Sequence, residues 1–469
     1  MTLVTIALAN KSNPARYKQG GAAQLLNCYV EKIGPEGKAP WAVYASDGLQ
    51  GYVNFGGTGG IRAQLRVDSN LFVVVGVSLY KVDVNQSVTL IGAMNISTTA
   101  PVYLERNRRA TPDVMVVCDG LAYYYRTTFQ QVTDIDLLAP TSLAFIDGYF
   151  IIGTVNNTWQ AGTIDDASAW SPLSYTRADA NPDAVVRVAA LQRDAVIFGE
   201  VSTEFHRNTG SDPNFPFDRV TAIDIGCLSA NSVTTVEQTL AWVAHDRTVR
   251  MLNGYTAEQI SSPAVCRAIE TVSDPSTIRG TSWVSNGHTF YSITSSDWTW
   301  DYDTSTKLWH ERASYGQANW KISCVAEFDG KLIAGDATEP ILYEMGPEFA
   351  DEAGSPLVMS LTLPPVHAFP KLLTFNALFI DCQQGVGTGQ GDAQDIDPEL
   401  MLEVSRDGGA TFTTQRTIKL GQQGQNLIRT KTYRLGQAPE DGYTFRLSCS
   451  AKVARAFYGL MADVESEAA

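Results

Sequence analysis

No run of apolar residues in this sequence is long enough to cross a bilayer, so no membrane insertion is expected. Residues 1–21 have no basic n-region and no apolar h-region with a cleavage site, so export by a signal peptide is not expected. The seven cysteines, Cys28, Cys118, Cys227, Cys266, Cys324, Cys382 and Cys449, are odd in number and scattered, with no CxxC pair. That spacing excludes a zinc site, which needs clustered ligands. Set beside apolar neighbours, as in MVVCDG, they read as buried free thiols of a chain made in a reducing cytoplasm.

Motifs that carry chemistry are equally scarce. The five histidines, His206, His245, His288, His310 and His367, stand singly, with no HExxH and no pair at ligand spacing. There is no GxSxG nucleophile elbow. The Gly-rich stretches GGTGG (56–60) and GVGTGQG (385–391) lack the Lys-Ser/Thr of a phosphate-binding loop and read as flexible turns. No catalytic, cofactor-binding or metal-binding residue is therefore nominated, and no cofactor is expected. Charged residues make up only 18% of the chain against 44% apolar, which excludes disorder. The net charge of −15 excludes a wrapping or sequence-reading DNA binder, which needs a basic stripe to neutralise phosphates. DNA as cargo is not excluded: an acidic wall repels a duplex and suits a conduit better than a clamp.

What is present is β-structure. With 469 residues the chain exceeds one ordinary core, which implies two domains or one large repeat domain. The clearest helical signal is SPAVCRAIETV (262–272), with Ser262 as N-cap and Pro263 in the first turn. Elsewhere a turn dipeptide is followed by an apolar run, a second turn and an aromatic-bearing strand. The unit recurs as DSNLFVVVG near residue 68, PDVMVVCDG near 112, IDGYFIIG near 146 and QRDAVIFG near 192. It continues as EQTLAWV near 237, SNGHTFYS near 285 and FDGKLIAG near 328. Starts 34 to 48 residues apart fit four-stranded propeller blades, each of which must be covered by its neighbours. The expected fold is all-β: a propeller of six or seven blades followed by a C-terminal β-sandwich-like domain. The expected division is N-terminal strands and loops joining the propeller (1–60), the propeller (61–346), an acidic linker (347–356) and the C-terminal β-domain (357–469). Residues 385–399 read as a flexible loop and 462–469 as a frayed acidic tail.

Two stretches are sharper. Residues 300–309, WDYDTSTKLW, resemble the kelch pattern, in which Asp303 satisfies turn amides and Trp309 wedges between blades. Ser405, Asp407, Gly409, Thr411 and Phe412 fill the Asp-box pattern of sialidase-like propellers. The box is a hairpin turn whose Asp caps amides and whose ring packs inward. Only one copy is visible, outside the propeller repeat, so it carries no glycosidase by itself. A kelch- or sialidase-like propeller acting as a glycan-binding protein or glycosidase stays as the alternative function.

Seven ordered segments carry a family resemblance. LLNCYVE (25–31) has an Asn-x-Tyr-x-Glu element. Residues 163–188 hold Trp170, Pro172-Leu173 and the turn Asn181-Pro182-Asp183. Residues 196–217 hold Phe198-Gly199-Glu200, Glu204-Phe205, Asn208-Thr209-Gly210 and Phe215-Pro216-Phe217. DIGCLSANSV (224–233) and residues 252–270, 287–314 and 330–336 follow in order. Together they resemble the packaged-DNA stabilisation, or tail-hub (nozzle), proteins of P22-like short-tailed bacteriophages. This chain departs from the family at Phe412, where a Trp is common. The resemblance implies a structural virion protein rather than an enzyme, located in the phage tail after synthesis in the host cytoplasm. It implies a homo-oligomeric ring, a hexamer, below the portal and adaptor. It also implies contacts with tail fibres, spikes or a needle, and passage of genomic duplex DNA without sequence recognition.

Overall fold

The computed structural model describes residues 2–35, 37–210 and 215–466. Five four-stranded antiparallel meanders follow one another over residues 61–93, 103–131, 140–177, 185–223 and 234–259. A sixth spans 279–312. The seventh has only three strands of its own, over 322–346. Its fourth is Gly48–Asn54, which pairs antiparallel with Ile341–Gly346. The propeller therefore has seven blades, and the ring is closed by a strand from before the first blade.

The turns explain why the repeat forms. In six blades the turn between the first two strands opens on a positive-φ residue: Asp68, Asp147, Gln192, Glu237, Asn286 or Asp329. In three of them Gly follows, also at positive φ, as Gly148, Gly287 and Gly330. Left-handed pairs at these positions match the twist of antiparallel strands. The second strand then runs between two neighbouring blades, so Val114–Cys118 and Asp194–Gly199 are buried at every residue. Each blade boundary has its own apolar core. Phe72 and Val116 share one between blades one and two. Val53, Leu71 and Ile333 share the one between blades seven and one, which closes the ring. The helix Pro263–Thr271, capped by Ser262 as expected, packs Val265 and Ile269 between blades five and six.

The C-terminal domain is a sandwich. One sheet runs Cys28–Lys32, Trp41–Ala45, Ala456–Ser466, Leu373–Cys382, Lys431–Ala438, with Thr2–Ile6 added on Ala456–Ser466. The other runs Gln24–Leu26, Met359–Thr362, Thr444–Cys449, Glu399–Ser405, Arg416–Lys419. Leu25, Val30, Leu361, Phe375, Phe445 and Leu447 fill the space between them.

The structure corrects four local expectations. The N-terminal strands do not all join the propeller: Thr2–Ile6, Cys28–Lys32 and Trp41–Ala45 pair within the sandwich, because their buried Ile6, Val30 and Val43 complete its core. The stretch 347–356 is not a free linker. Asp351–Glu352 and Ser355–Pro356 form a small hairpin added to Gly48–Asn54, turned by Ala353 and Gly354 at positive φ. Residues 385–399 are held by backbone bonds from Gly385 to Leu420 and from Gly387 to Gly421, and by the short capped helix Ala393–Ile396. Residues 462–466 are not frayed. They continue the last strand, where Ala462 and Val464 are buried, while 467–469 lie outside the described residues.

Candidate functional site

The residues that could carry chemistry resolve into structural clusters. On blade six, Asp303 is fully buried and accepts from the Ser305 amide at 2.9 Å and the Thr306 hydroxyl at 2.8 Å. The His288 Nδ1 lies 2.8 Å from the same carboxylate. Trp309, 3% exposed, stacks near Tyr302 at 5.1 Å and donates its indole N–H to the Ile260 carbonyl at 2.7 Å. The kelch-like stretch thus does what the sequence predicts: its Asp fixes a turn and its Trp joins two blades.

Three other histidines are likewise absorbed by packing, while His367 is exposed. His206 pairs with buried Glu204 at 2.8 Å. His245 Nδ1 accepts from the Gly226 amide at 3.0 Å. His310 is buried with neither ring nitrogen bonded to protein, and burial pushes its pKa down to about 4. Six of the seven thiols have their pKa raised, in each case by burial first of all; Cys227, for one, is pushed up to about 12. All seven cysteines are free. Among the described residues no three His, Cys, Asp or Glu side chains cluster at metal-binding distance.

The Asp-box forms its turn. Asp407 accepts from the Thr411 amide at 2.8 Å and the Thr411 and Ser405 hydroxyls at 2.6 and 2.7 Å. These bonds hold its carboxyl well below the usual range. Phe412 is half-buried rather than a core residue: it lies under the Arg446 guanidinium, 3.9 Å from the ring centre.

The junction of the two domains is densely bonded, and it gives the Asn-x-Tyr-x-Glu element a physical meaning. Asn27, at φ 54°, donates to the carbonyls of Ala313 at 3.0 Å and Val358 at 2.9 Å. Its Oδ1 accepts from the Ala313 amide at 2.9 Å. One side chain thus bonds the end of blade six and the residue that leads into the sandwich strand Met359–Thr362. Tyr29 meets the His288 and Phe290 rings at 5.1 and 5.6 Å, and Glu31 lies 4.0 Å from His288 Nε2. Gln24–Leu26 runs parallel to the last strand of blade six, so blade and sandwich form one nine-stranded sheet.

Two arginines that the sequence reading did not single out complete this junction. Arg312, 2% exposed, stacks 3.7 Å from the Trp320 ring and donates to the Asp47 carbonyl at 2.7 Å. Trp320 in turn donates to buried Glu352 at 3.1 Å. Arg455 donates to the carbonyls of Leu357, Cys449 and Ala350. No local pattern marks either one: the carbonyls of Asp47, Leu357 and Ala350 that they bond come from segments far away in the chain.

The segments that carry the family resemblance are also structural. The Trp170 amide donates to Asp134 at 2.9 Å, and Asp183 accepts from the Val201 and Ser202 amides at 2.8 and 3.0 Å. Phe215 and Phe217 pack edge-on against Trp159 at 4.9 and 5.5 Å. Residues 211–214 of that segment lie outside the described residues. The family described as bacteriophage P22 Gp10, β-propeller, matches residues 44–350, from just before the closing strand to just after the last blade. This chain belongs to that family. It is a phage structural protein with a β-propeller fold. No curated protein matches it.

Solved structures give fold-level likenesses only. Virginiamycin B lyase from Staphylococcus aureus is 8% identical, with 64% of this chain and 99% of that one covered at a TM-score of 0.47. The WD40 propeller domain of Doa1 is 10% identical, with 64% and 96% covered at 0.42. The extracellular domain of a putative hybrid two-component system from B. thetaiotaomicron is 8% identical, with 72% and 43% covered at 0.45. The architecture rests on strand pairing and the family match rather than on these.

Proposed function

We propose that this protein is a non-enzymatic subunit of the tail hub, or nozzle, of a short-tailed phage. Copies form a hexameric ring below the portal and adaptor, line the path of the exiting duplex and anchor fibres, spikes or a needle. The observation that carries the reading is the family match over the closed propeller. The junction supports it: a propeller and a sandwich that share one sheet act as a rigid building block. The net charge of −15 fits a conduit whose wall is acidic or neutral, because a duplex gains nothing from touching it. The deciding experiment is a density map of the assembled virion. A ring of this chain between the portal and the tail tip is expected, and finding the chain only in the capsid shell would overturn the proposal.

A further inference from the structure

Two surface regions, one on each domain, have matching properties. Beside blade three, a cleft of about 510 Å³ is lined by Ile135, Leu138, Val155 and Tyr175 and by the polar Thr154, Asn156, Thr158 and Gln160. Asp136 is the one charged residue among those that line it. Ile135, on the cleft's rim, is 95% exposed. On the sandwich, a groove of about 880 Å³ is lined by Leu3, Leu8, Trp41, Ile428 and Met461. Of its charged residues Lys38 and Asp381 pair with each other, which leaves Arg429 without an ion pair among the described residues. Leu427, next to Ile428, is 97% exposed. The sandwich groove is therefore an apolar hollow and the blade-three cleft a mixed one, each with a projecting aliphatic side chain and one charge that has no ion pair among the described residues, negative on the propeller and positive on the sandwich. A large apolar hollow of this kind marks an interaction surface.

Their placement matters as much as their chemistry. The sandwich is attached through blades six and seven. Blade three lies across the seven-membered ring from that attachment, so the two regions belong to separate parts of the subunit. A contact between two different, complementary patches is heterologous, the type that generates rings when its rotation closes.

The positive charge extends beyond the groove. Residues 415–438 hold Arg416, Lys419, Arg429, Lys431 and Arg434 and no acid, in a chain of net charge −15. Arg416 is engaged with the Tyr433 and Arg434 carbonyls, Lys419 pairs with Asp397, and Lys431 lies 4.9 Å from the Tyr433 ring centre. Arg429 and Arg434 have no ion pair among the described residues and are left to meet a partner. Two free cations are few for a duplex binder, which neutralises about 6–10 phosphates. They suit a contact with an acidic protein, and this chain is one.

We propose that the blade-three cleft of one copy receives the sandwich groove of a second copy, head to tail, with Asp136 facing Arg429. This rests on the ring reading above and assigns its interface. The test uses the full chain at low salt with mass photometry over a concentration series. Asp136→Arg and Arg429→Asp should each weaken association by on the order of tenfold or more, and the two together should restore it. A companion variant with Ile135→Cys and Leu427→Cys keeps the test decisive where free association is weak. Mild oxidation should give it a ladder of cross-linked oligomers, while neither single variant cross-links.

Four results would overturn the interface: no ladder from the double-cysteine variant, dimers from Ile135→Cys alone, failure of the charge swap to restore association, or duplex binding lost in Arg429→Asp with self-association unchanged. Virions that carry Asp136→Arg and still assemble a normal ring would sink this interface but leave the hub proposal standing. Virions with no ring of this chain would sink both.

Discussion

The indole N–H of Trp309, on the last strand of blade six, bonds the Ile260 carbonyl, which lies just before the helix between blades five and six, at 2.7 Å. The ring also packs with Val265, Ile269 and Trp300 in the core shared by those blades. Truncation removes both the fill and the bond. Trp309→Ala should cost about 3–5 kcal/mol, and Trp309→Phe distinctly less, because most of the buried surface is kept. Equilibrium denaturation checks this. A Trp309→Ala protein that unfolds with the parent would mean that the ring does not hold the blades together.

Asn27 is the narrowest bridge between the domains. It makes three bonds across the junction while held at φ 54°, a conformation that Asn tolerates better than Ala. Asn27→Ala should destabilise by about 3 kcal/mol, from lost bonds, carbonyls left unpaired in a buried site and backbone strain. Asn27→Gly removes the strain alone and should recover about 1 kcal/mol of that loss. Urea unfolding should also lose cooperativity in both variants, with the propeller and sandwich separating into two transitions. A single unchanged transition would place the coupling elsewhere.

Ring closure depends on a close backbone approach at Gly48. A Cβ there would stand 2.3 Å from the Phe349 carbonyl oxygen and 2.4 Å from that of Asp351, so the closing strand and the 351–356 hairpin could not both stay in place. Gly48→Ala should destabilise by about 1–3 kcal/mol and raise amide exchange in Ile341–Gly346, the strand it closes on. Unchanged protection there would show that closure does not need the contact.

These sites also show how far the sequence could be read. The blades were legible because their signal is local: Asp147-Gly148, Asn286-Gly287 and Asp329-Gly330 announce a turn, and a buried run follows at once. The copy near residue 112 also precedes its blade's second strand, Val114–Cys118, but its positive-φ pair, Asp119-Gly120, lies between the second and third strands instead of the first and second. The ring's closure was not legible. Gly48–Asn54 finds its partner almost three hundred residues later, and a strand pattern does not say which edge it will join. The same holds for Arg312 and Arg455, which bond the carbonyls of the distant Asp47, Leu357 and Ala350. Asn27 was visible only through the family resemblance. Its neighbours Leu25 and Leu26 look like any strand, and the reason for an Asn is a gap between two domains.

His310 gives the fold a pH dependence whose sign can be worked out. The ring is buried, its two nitrogens have no protein partner, and its pKa is pushed down to about 4 from an ordinary 6.5. Burial is the main cause; His288 adds to it, and Asp303 opposes it. Between those values the unfolded chain takes up a proton that the folded one refuses. Its contribution to stability is therefore complete above about pH 6.5 and is lost as the pH falls toward 4. At 1.36 kcal/mol per pKa unit, the loss is about 3 kcal/mol. His310→Gln keeps a polar side chain of similar reach but does not titrate. It should flatten the fall in stability between pH 6.5 and 4 while the parent keeps it, because the carboxylates common to both proteins contribute equally. Denaturant midpoints measured across that window decide the matter. If both proteins lose stability in parallel, the acid sensitivity belongs to carboxylates whose pKa is lowered in the fold, such as Asp166 and Asp246. Asp47 and Asp301, both raised by burial and both facing Arg312, are a different case. The sign separates the two cases again. A carboxyl with a raised pKa loses stability as the pH rises, not as it falls, so these two acids would oppose the histidine, and replacing Asp301 by Asn should steepen the acid-side fall that His310 produces.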